Sequence, residues 1–405
     1  MKFIIIQIFF FTTLFSQEKN LITIQAENLV GKTIGDENVR EWQGNVYLTQ
    51  GNIKLWCDNA IQYLSKNEVE VFGNVRVVRD TITLTAQRGR YYGNTKFADC
   101  EKNVKLQTKN ITLTADFGKY FLEERRAEFR QNVRIIDSST TIFCDELTYF
   151  EKERKSIAIK NVKMQNVKDN ITVFGNYLEH YDAAHYTKIT QQPKLVQIDT
   201  TTKEKDTLFV QSTTMESFGD TLKKLVAQDS VVLIRGKLTA QCGMLSYIMK
   251  NDSIELQNNP IVWFDDNQIT GDTISLQLQK KKLRTAYIRG HAFAVSSSNS
   301  QYQSRYNQLT GKNIILDFEN NTLQKISVFQ NAISLYFLYE DITPNGANKT
   351  TGDIISMKLK EGKPETIHIL RGVEGTYYPE NLIRTKIQEY NLDGFVLYNN
   401  RPTKQ

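Results

Sequence analysis

The side chains able to do acid–base or metal chemistry are few and scattered. The four histidines are His180, His185, His291 and His368, and the one close pair stands five apart in a turn-like stretch with Asp182. A metal centre needs three or four ligands in a tight constellation, and ligands on a strand would favour a spacing of two. No metal site is therefore expected. No glycine-rich phosphate loop, Gly-x-Ser-x-Gly elbow or His-Glu-x-x-His pair occurs. Asp58 and Asp116 resemble paired carboxylates but recur at one position of a repeat, so they read as outward-facing turn residues. No catalytic residue and no cofactor are expected. Cys57, Cys100, Cys144 and Cys242 would invite disulfides in an oxidising compartment. Cys57 and Cys144, however, share a repeat column three units apart, about 29 Å at two strands per unit, where a bridge spans only ~6 Å. All four read as small buried residues with free thiols. What remains to the chain is the chemistry of apolar contact.

That contact is organised by a repeat. Gly44-Asn45-Val46 recurs as Gly73-Asn74-Val75, Lys102-Asn103-Val104, Gln131-Asn132-Val133 and Lys160-Asn161-Val162, a constant step of 29 residues. A fixed period of this size marks stacked structural units. Other columns keep the step: Leu55, Leu84, Leu113 and Ile142; the small residues Cys57, Ala86, Ala115 and Cys144, resumed at Gly175; and the aromatics Tyr63, Tyr92, Phe121, Phe150 and Tyr181. Looser copies follow, with Leu238-Thr239-Ala240, Ile269-Thr270-Gly271, Leu309-Thr310-Gly311 and Thr350-Thr351-Gly352 carrying the small position, for roughly eleven units in all.

Within a unit the apolar period is two, as in Val46-Leu48 and Ile53-Leu55-Cys57, with polar turns at Gln50-Gly51 and Lys66-Asn67. Alternation of that kind puts one face of a strand against an apolar interior and the other toward water. Each strand is interrupted near its middle, by the Xaa-Asn pair or by a small residue followed by a polar one. Glycine and asparagine tolerate positive φ and mark bulges. A strand bent at mid-length serves two sheets, so the expected fold is all-β: an elongated β-jelly-roll, or folded-over sandwich, of stacked bent antiparallel hairpins with a repeat of about 29 residues. Eleven such units would reach on the order of 100 Å, with unpaired backbone at each end.

The organisation expected is a signal peptide over 1–16, a cap or half-repeat over 17–43, regular repeats over 44–190, looser repeats over 191–371 and a tail over 372–405. The signal rests on Lys2, the apolar run from Phe3 to Phe15 and the polar Gln17-Glu18-Lys19-Asn20. That run is shorter than the roughly 20 residues a spanning helix needs. A net charge of +6 with no Lys/Arg block argues against nucleic acid as a partner.

The words GNVYLTQGNIKLWCDNAIQY, FGNVRVVRDTITLTAQRGRYY and KNVKLQTKNITLTADFGKYF resemble the units of the OstA-like family, well over 44 to about 182 and more loosely over about 220–360. The resemblance implies a jelly-roll that holds lipid acyl chains in its groove and joins similar rolls end to end, passing lipopolysaccharide across the periplasm toward the outer membrane. It makes lipopolysaccharide or lipid A acyl chains the ligand. Its partners would be other jelly-roll transport proteins, or further copies head to tail, paired strand to strand. The groove candidates carried over are Val46, Leu48, Ile53, Leu55, Val75, Val77, Ile82, Leu84, Val104, Leu106, Ile111, Leu113, Val133, Ile135 and Ile142. The chain departs from the simplest bridge in being more than twice its expected length, and from a translocon in lacking a segment for a large outer-membrane barrel. A secreted structural or adhesive β-solenoid, binding protein or glycan on an outer face, is the alternative reading; it would seal its core, where a carrier needs an open lane.

Overall fold

The computed structural model describes residues 23–137, 140–199, 206–219, 223–279, 282–299, 301–302, 304–319, 322–360 and 363–403. The expected signal peptide lies outside them, as do residues 17–22 of the expected cap. Strands account for 74% of the described residues and helix for 3%, so the fold is all-β, built of consecutive antiparallel hairpins. Two compact units divide it, Met1–Pro193 and Lys194–Gln405.

The first unit is the regular one. Strands Glu37–Gln50, Ile53–Tyr63, Glu68–Arg79, Ile82–Tyr92, Phe97–Gln107, Thr112–Phe121, Arg126–Ile136, Thr140–Phe150, Lys155–Asn166 and Ile171–Tyr181 each pair antiparallel with the next. Every pairing shifts register near the middle of its strands, and alternate strands carry the corner that causes it. Asn45, Asn74, Asn103, Asn132 and Asn161 have φ of +46° to +58°, and the residue before each has φ of +61° to +78°. Two successive left-handed residues turn the chain sharply and shift the register by one: Phe72 faces Arg88, yet Val75 faces Ala86.

The left-handed region costs an ordinary residue on the order of 1–2 kcal/mol, and asparagine escapes part of this by local hydrogen bonding. Here the bond goes to the neighbouring strand. The Asn74 amide donates to Asp58 at 3.1 Å, Asn132 to Asp116 at 2.6 Å, and Asn161 to Asp145 at 2.8 Å. The recurring aspartates are thus the acceptors that hold the corner. A Cβ at position 73 would collide with the Asp58 carboxylate, so glycine stands there.

Ahead of the first full strand, Thr23–Gln25 and Asn28–Ile34 pair with its two halves. Glu27 sits between them and accepts from the Asn45 amide at 2.6 Å, as the aspartates do in later repeats. These residues form a half-repeat whose strand Asn28–Ile34 is exposed along its whole length.

The second unit uses the same corner with other residues: Asp229-Ser230, Asn258-Asn259, Gly290-His291, Gln330-Asn331 and Arg371-Gly372 all have positive φ. His291 replaces asparagine there, its Nδ1 lying 3.0 Å from Asp272. The small position after Leu238 is Cys242, which faces Val231, two residues beyond the Ala240 expected. Beyond Gly372, Glu374–Tyr378 adds a strand against Ala347–Thr351. A short helix, Glu380–Ile383, and an extended segment then cross the outer face of the sheet. Ile383 and Leu392 cover Phe293, Val295, Leu335 and Phe337 there. Gln308 and Gln268 clamp the segment with their amides: Gln308 accepts from Leu392 N–H at 2.8 Å, and Gln268 donates to the Val396 carbonyl and accepts from Tyr398 N–H, both at 2.7 Å.

The corner predicts its own test. Asn132→Val should lower stability by roughly 2–3 kcal/mol, through a β-branched residue at positive φ and an orphaned Asp116, whereas Asn132→Gly should cost about 1 kcal/mol or less. The two variants' unfolding midpoints, followed by circular dichroism, check the order.

Candidate functional site

Bending every strand at one position leaves two facing walls in the first unit. On the wall after the corner, Leu48, Leu55, Val77, Leu84, Leu106, Leu113, Ile135, Ile142, Met164 and Val173 pair directly, each with the next. Ten apolar side chains thus form one unbroken file across ten strands. Nearer the corner a second file alternates large and small, Val46 facing Cys57, Val75 facing Ala86, Val104 facing Ala115 and Val133 facing Cys144. Bulk on one strand and its absence on the next let the walls close at the spine.

The opposite wall carries Trp42, Ala60, Val71, Gly89, Cys100, Gly118, Phe129, Leu147, Ala158 and Leu178, again in direct succession. The groove candidates include no residue of this wall, although the repeat step already aligns Val71, Cys100 and Phe129 as an inward column. Its residues range from glycine to tryptophan, so no single residue type announces it.

The fifteen predicted positions all face the space between the walls, but they are not equally covered. Val46, Val75, Val104 and Val133 are sealed at the spine. Leu48, Ile53, Leu55, Val77 and Leu84 are half-buried, while their counterparts Leu106, Leu113 and Ile135 are each only 1% exposed. Ile82, Ile111 and Ile142 are buried as well. The trough is therefore accessible over its first four rungs and closed beyond them. Trp42 stands at the accessible end, packed against Val46, Ala60 and Val71, with its buried indole N–H lacking a hydrogen-bond partner.

A polar cluster spans the mouth where the trough closes. Arg79 comes from the first wall, Tyr120 and Glu151 from the second, and the Tyr120 hydroxyl donates to Glu151 at 3.2 Å. Burial holds the Glu151 carboxyl above its ordinary range, against the pull of Tyr120, Arg125 and Arg79. The same burial, with Glu151 close by, pushes the Tyr120 phenol up. This closure was not foreseen, although Tyr91, Tyr120 and Tyr149 stand 29 apart and offered the signal.

The remaining candidates for chemistry are engaged structurally. His180 is buried, its Nδ1 2.9 Å from the Thr187 hydroxyl, and desolvation lowers its pKa. Asp182 is ion-paired to Arg154. Among the described residues no group of three or more His, Cys, Asp or Glu side chains could hold a metal ion, and no helix is long and apolar enough to cross a membrane. A cavity of about 490 Å³ lies on the outer face of the second wall, where Arg88, Arg90, Lys119 and Arg130 are balanced by Glu70, Asp99, Glu101 and Glu128.

A repeating bent hairpin, corners held by asparagine and one apolar file between two walls are the geometry to be compared with known proteins. Residues 18–173 match the family model described as OstA-like protein. The match ends on Val173, the last rung of the apolar file. No curated protein matches the chain. The OstA-like family is one of transport and binding rather than catalysis, tied to the handling of lipopolysaccharide in the cell envelope.

The four thiols in this framework should be inert in the folded state. Burial pushes Cys57 up to about 11 and Cys100, Cys144 and Cys242 up to about 12, so the reactive thiolate is scarce at pH 8. Labelling with a thiol reagent at pH 8 should be slow in buffer and reach all four cysteines only in denaturant; a rapidly labelled site in the native protein would contradict this burial.

Proposed function

We propose that the OstA-like segment is a periplasmic lipid carrier that takes acyl chains of lipopolysaccharide into its trough on their way to the outer membrane. The observation that carries the reading is the unbroken file from Leu48 to Val173, only partly buried at Leu48, Leu55, Val77 and Leu84. Each acyl methylene moved from water onto such a surface contributes about 0.8 kcal/mol. The mixture of open and sealed rungs fits entry at the N-terminal end, with the Arg79–Tyr120–Glu151 cluster as the limit of the accessible stretch. Among the candidates, Leu48, Ile53, Leu55, Val77 and Leu84 are the lipid contacts, and the remaining ten form the packed floor beneath and beyond them.

The exposed strand Asn28–Ile34 supports end-to-end pairing with another jelly-roll protein or a second copy, because among the described residues it pairs on one side only and carries Leu29, Val30 and Ile34, which are 54%, 40% and 49% exposed. Val30→Lys should then abolish concentration-dependent association in sedimentation; association that persists unchanged in the variant would place the contact elsewhere.

The carrier reading is tested by mass spectrometry of lipid co-purifying with the secreted protein and by uptake of labelled lipopolysaccharide after delipidation. Absence of both removes it. Substitution separates the open rungs from the closed ones. Leu84→Asp should reduce uptake at least tenfold with strand content retained, since a half-buried carboxylate keeps water. Leu113→Asp should cost several kcal/mol by burying an unpaired charge and should unfold the unit. Equal unfolding by both would mean that the trough is closed throughout.

A further inference from the structure

We propose that the outer face of the first wall, on the side away from the trough, binds a linear anionic glycan along a single file of cations. Directly after the inward valine of successive repeats stand Arg76, Lys105, Arg134 and Lys163, spaced 29 residues apart. Strand pairing sets them on one ladder, with Thr85 between the first two and Thr114 between the next two. Phe143 separates the last pair, and Trp56 and Phe174 flank the file. At two strands per step the cations fall about every 10 Å and cover roughly 29 Å.

Among the described residues none of the four cations is in a salt bridge. The ladder on one side, with Lys54, Gln107, Gln165 and threonines, contains no carboxylate. The ladder on the other side carries the corner aspartates Asp58, Asp116 and Asp145, whose carboxylates accept from asparagine amides. Among the described residues the partners of the file are aromatic: Arg76 lies 5.4 Å from the Trp56 ring, and Arg134 and Lys163 lie 5.5 and 5.8 Å from that of Phe143. The outer face of the other wall is the opposite case, with Arg90 paired to Glu68 at 2.6 Å and Arg130 to Glu128 at 3.0 Å. Two faces of one unit, made by the same repeat, thus differ in whether their cations are neutralised.

The chemistry of the file suits a charged saccharide. Arg and Lys meet its anionic groups, exposed Trp56 and Phe174 offer flat apolar platforms for sugar rings, and the threonine hydroxyls and glutamine amides can bond its hydroxyls. A linear chain is favoured over a lipid surface by sheet twist. At the usual twist of about 20° per strand, the six strand steps from Arg76 to Lys163 turn the outward direction by roughly 120°. A flexible polymer follows that path, whereas a flat membrane meets only one or two of the cations.

The test uses the full secreted chain, with hyaluronate oligosaccharides as the anionic probe, dextran as the neutral one, and phosphatidylglycerol vesicles as the lipid surface. Hyaluronate binding by calorimetry at low ionic strength should weaken at least tenfold in Arg76→Glu/Arg134→Glu, weaken several-fold in the milder Arg76→Gln/Arg134→Gln, and fade with salt. It should be unchanged in Lys119→Glu on the other wall, and dextran should not bind. Absence of hyaluronate binding, equal loss in Lys119→Glu, or vesicle binding that exceeds hyaluronate binding and is lost in the same variants would overturn the proposal. Because the file faces away from the trough, lipid uptake should be intact in these variants. The proposal therefore stands or falls independently of the carrier reading.

Discussion

Everything in the first unit depends on a corner repeated once per hairpin: an asparagine at positive φ, whose amide is held at four of the five corners by a carboxylate on the neighbouring strand. Without it, a strand of eleven or twelve residues would run straight and build one flat sheet with a single apolar face. With it, each strand turns at the same point and its two halves belong to opposite walls. Because the side-chain period of a strand is two, a corner displaced by one residue in any repeat would turn that repeat's apolar residues outward. Register at the corner is therefore the condition for having a trough at all.

The second constraint is how far the walls stand apart. At the spine Val46, Cys57 and Val75 of one wall pack directly with Ala60 and Val71 of the other, which leaves no room for a ligand. Away from the spine the gap depends on what fills it. Leu106, Leu113 and Ile135 fill it completely, and Leu48, Leu55, Val77 and Leu84 do not. One repeated design thus yields both a packed core and an accessible groove, and the boundary falls where Arg79 and Glu151 bring opposite charges to the mouth. The Lys194–Gln405 unit takes the same corner to a different end. Its interior is packed, with Leu256, Ile288, Ile314 and Val328 essentially unexposed, and its outer face is covered by the C-terminal segment.

Much of this was legible in the residues. The 29-residue step, the alternation on each side of Xaa-Asn and the small residue opposite each valine specify bent hairpins in register, because period, turn chemistry and side-chain volume are local properties. The inward direction of all fifteen groove candidates follows from the same parity. Harder to read were the second wall and the clamp on the C-terminal segment. Gly89, Cys100 and Phe129 share a column without sharing a type, and Gln268 and Gln308 show no pattern until a distant segment is laid across them.

From the sequence alone came the all-β class, the corner, the repeat and which side of each strand is apolar, since these are decided within a few residues by backbone strain and by a period of two. Only the tertiary structure decided which apolar positions are accessible, that Arg79 and Glu151 share a mouth, and that Arg76, Lys105, Arg134 and Lys163 share an outer ladder without forming salt bridges. Exposure and unbalanced charge are properties of what a residue faces across a gap or on an adjacent strand. A linear pattern fixes direction, but not the contents of the space it points into.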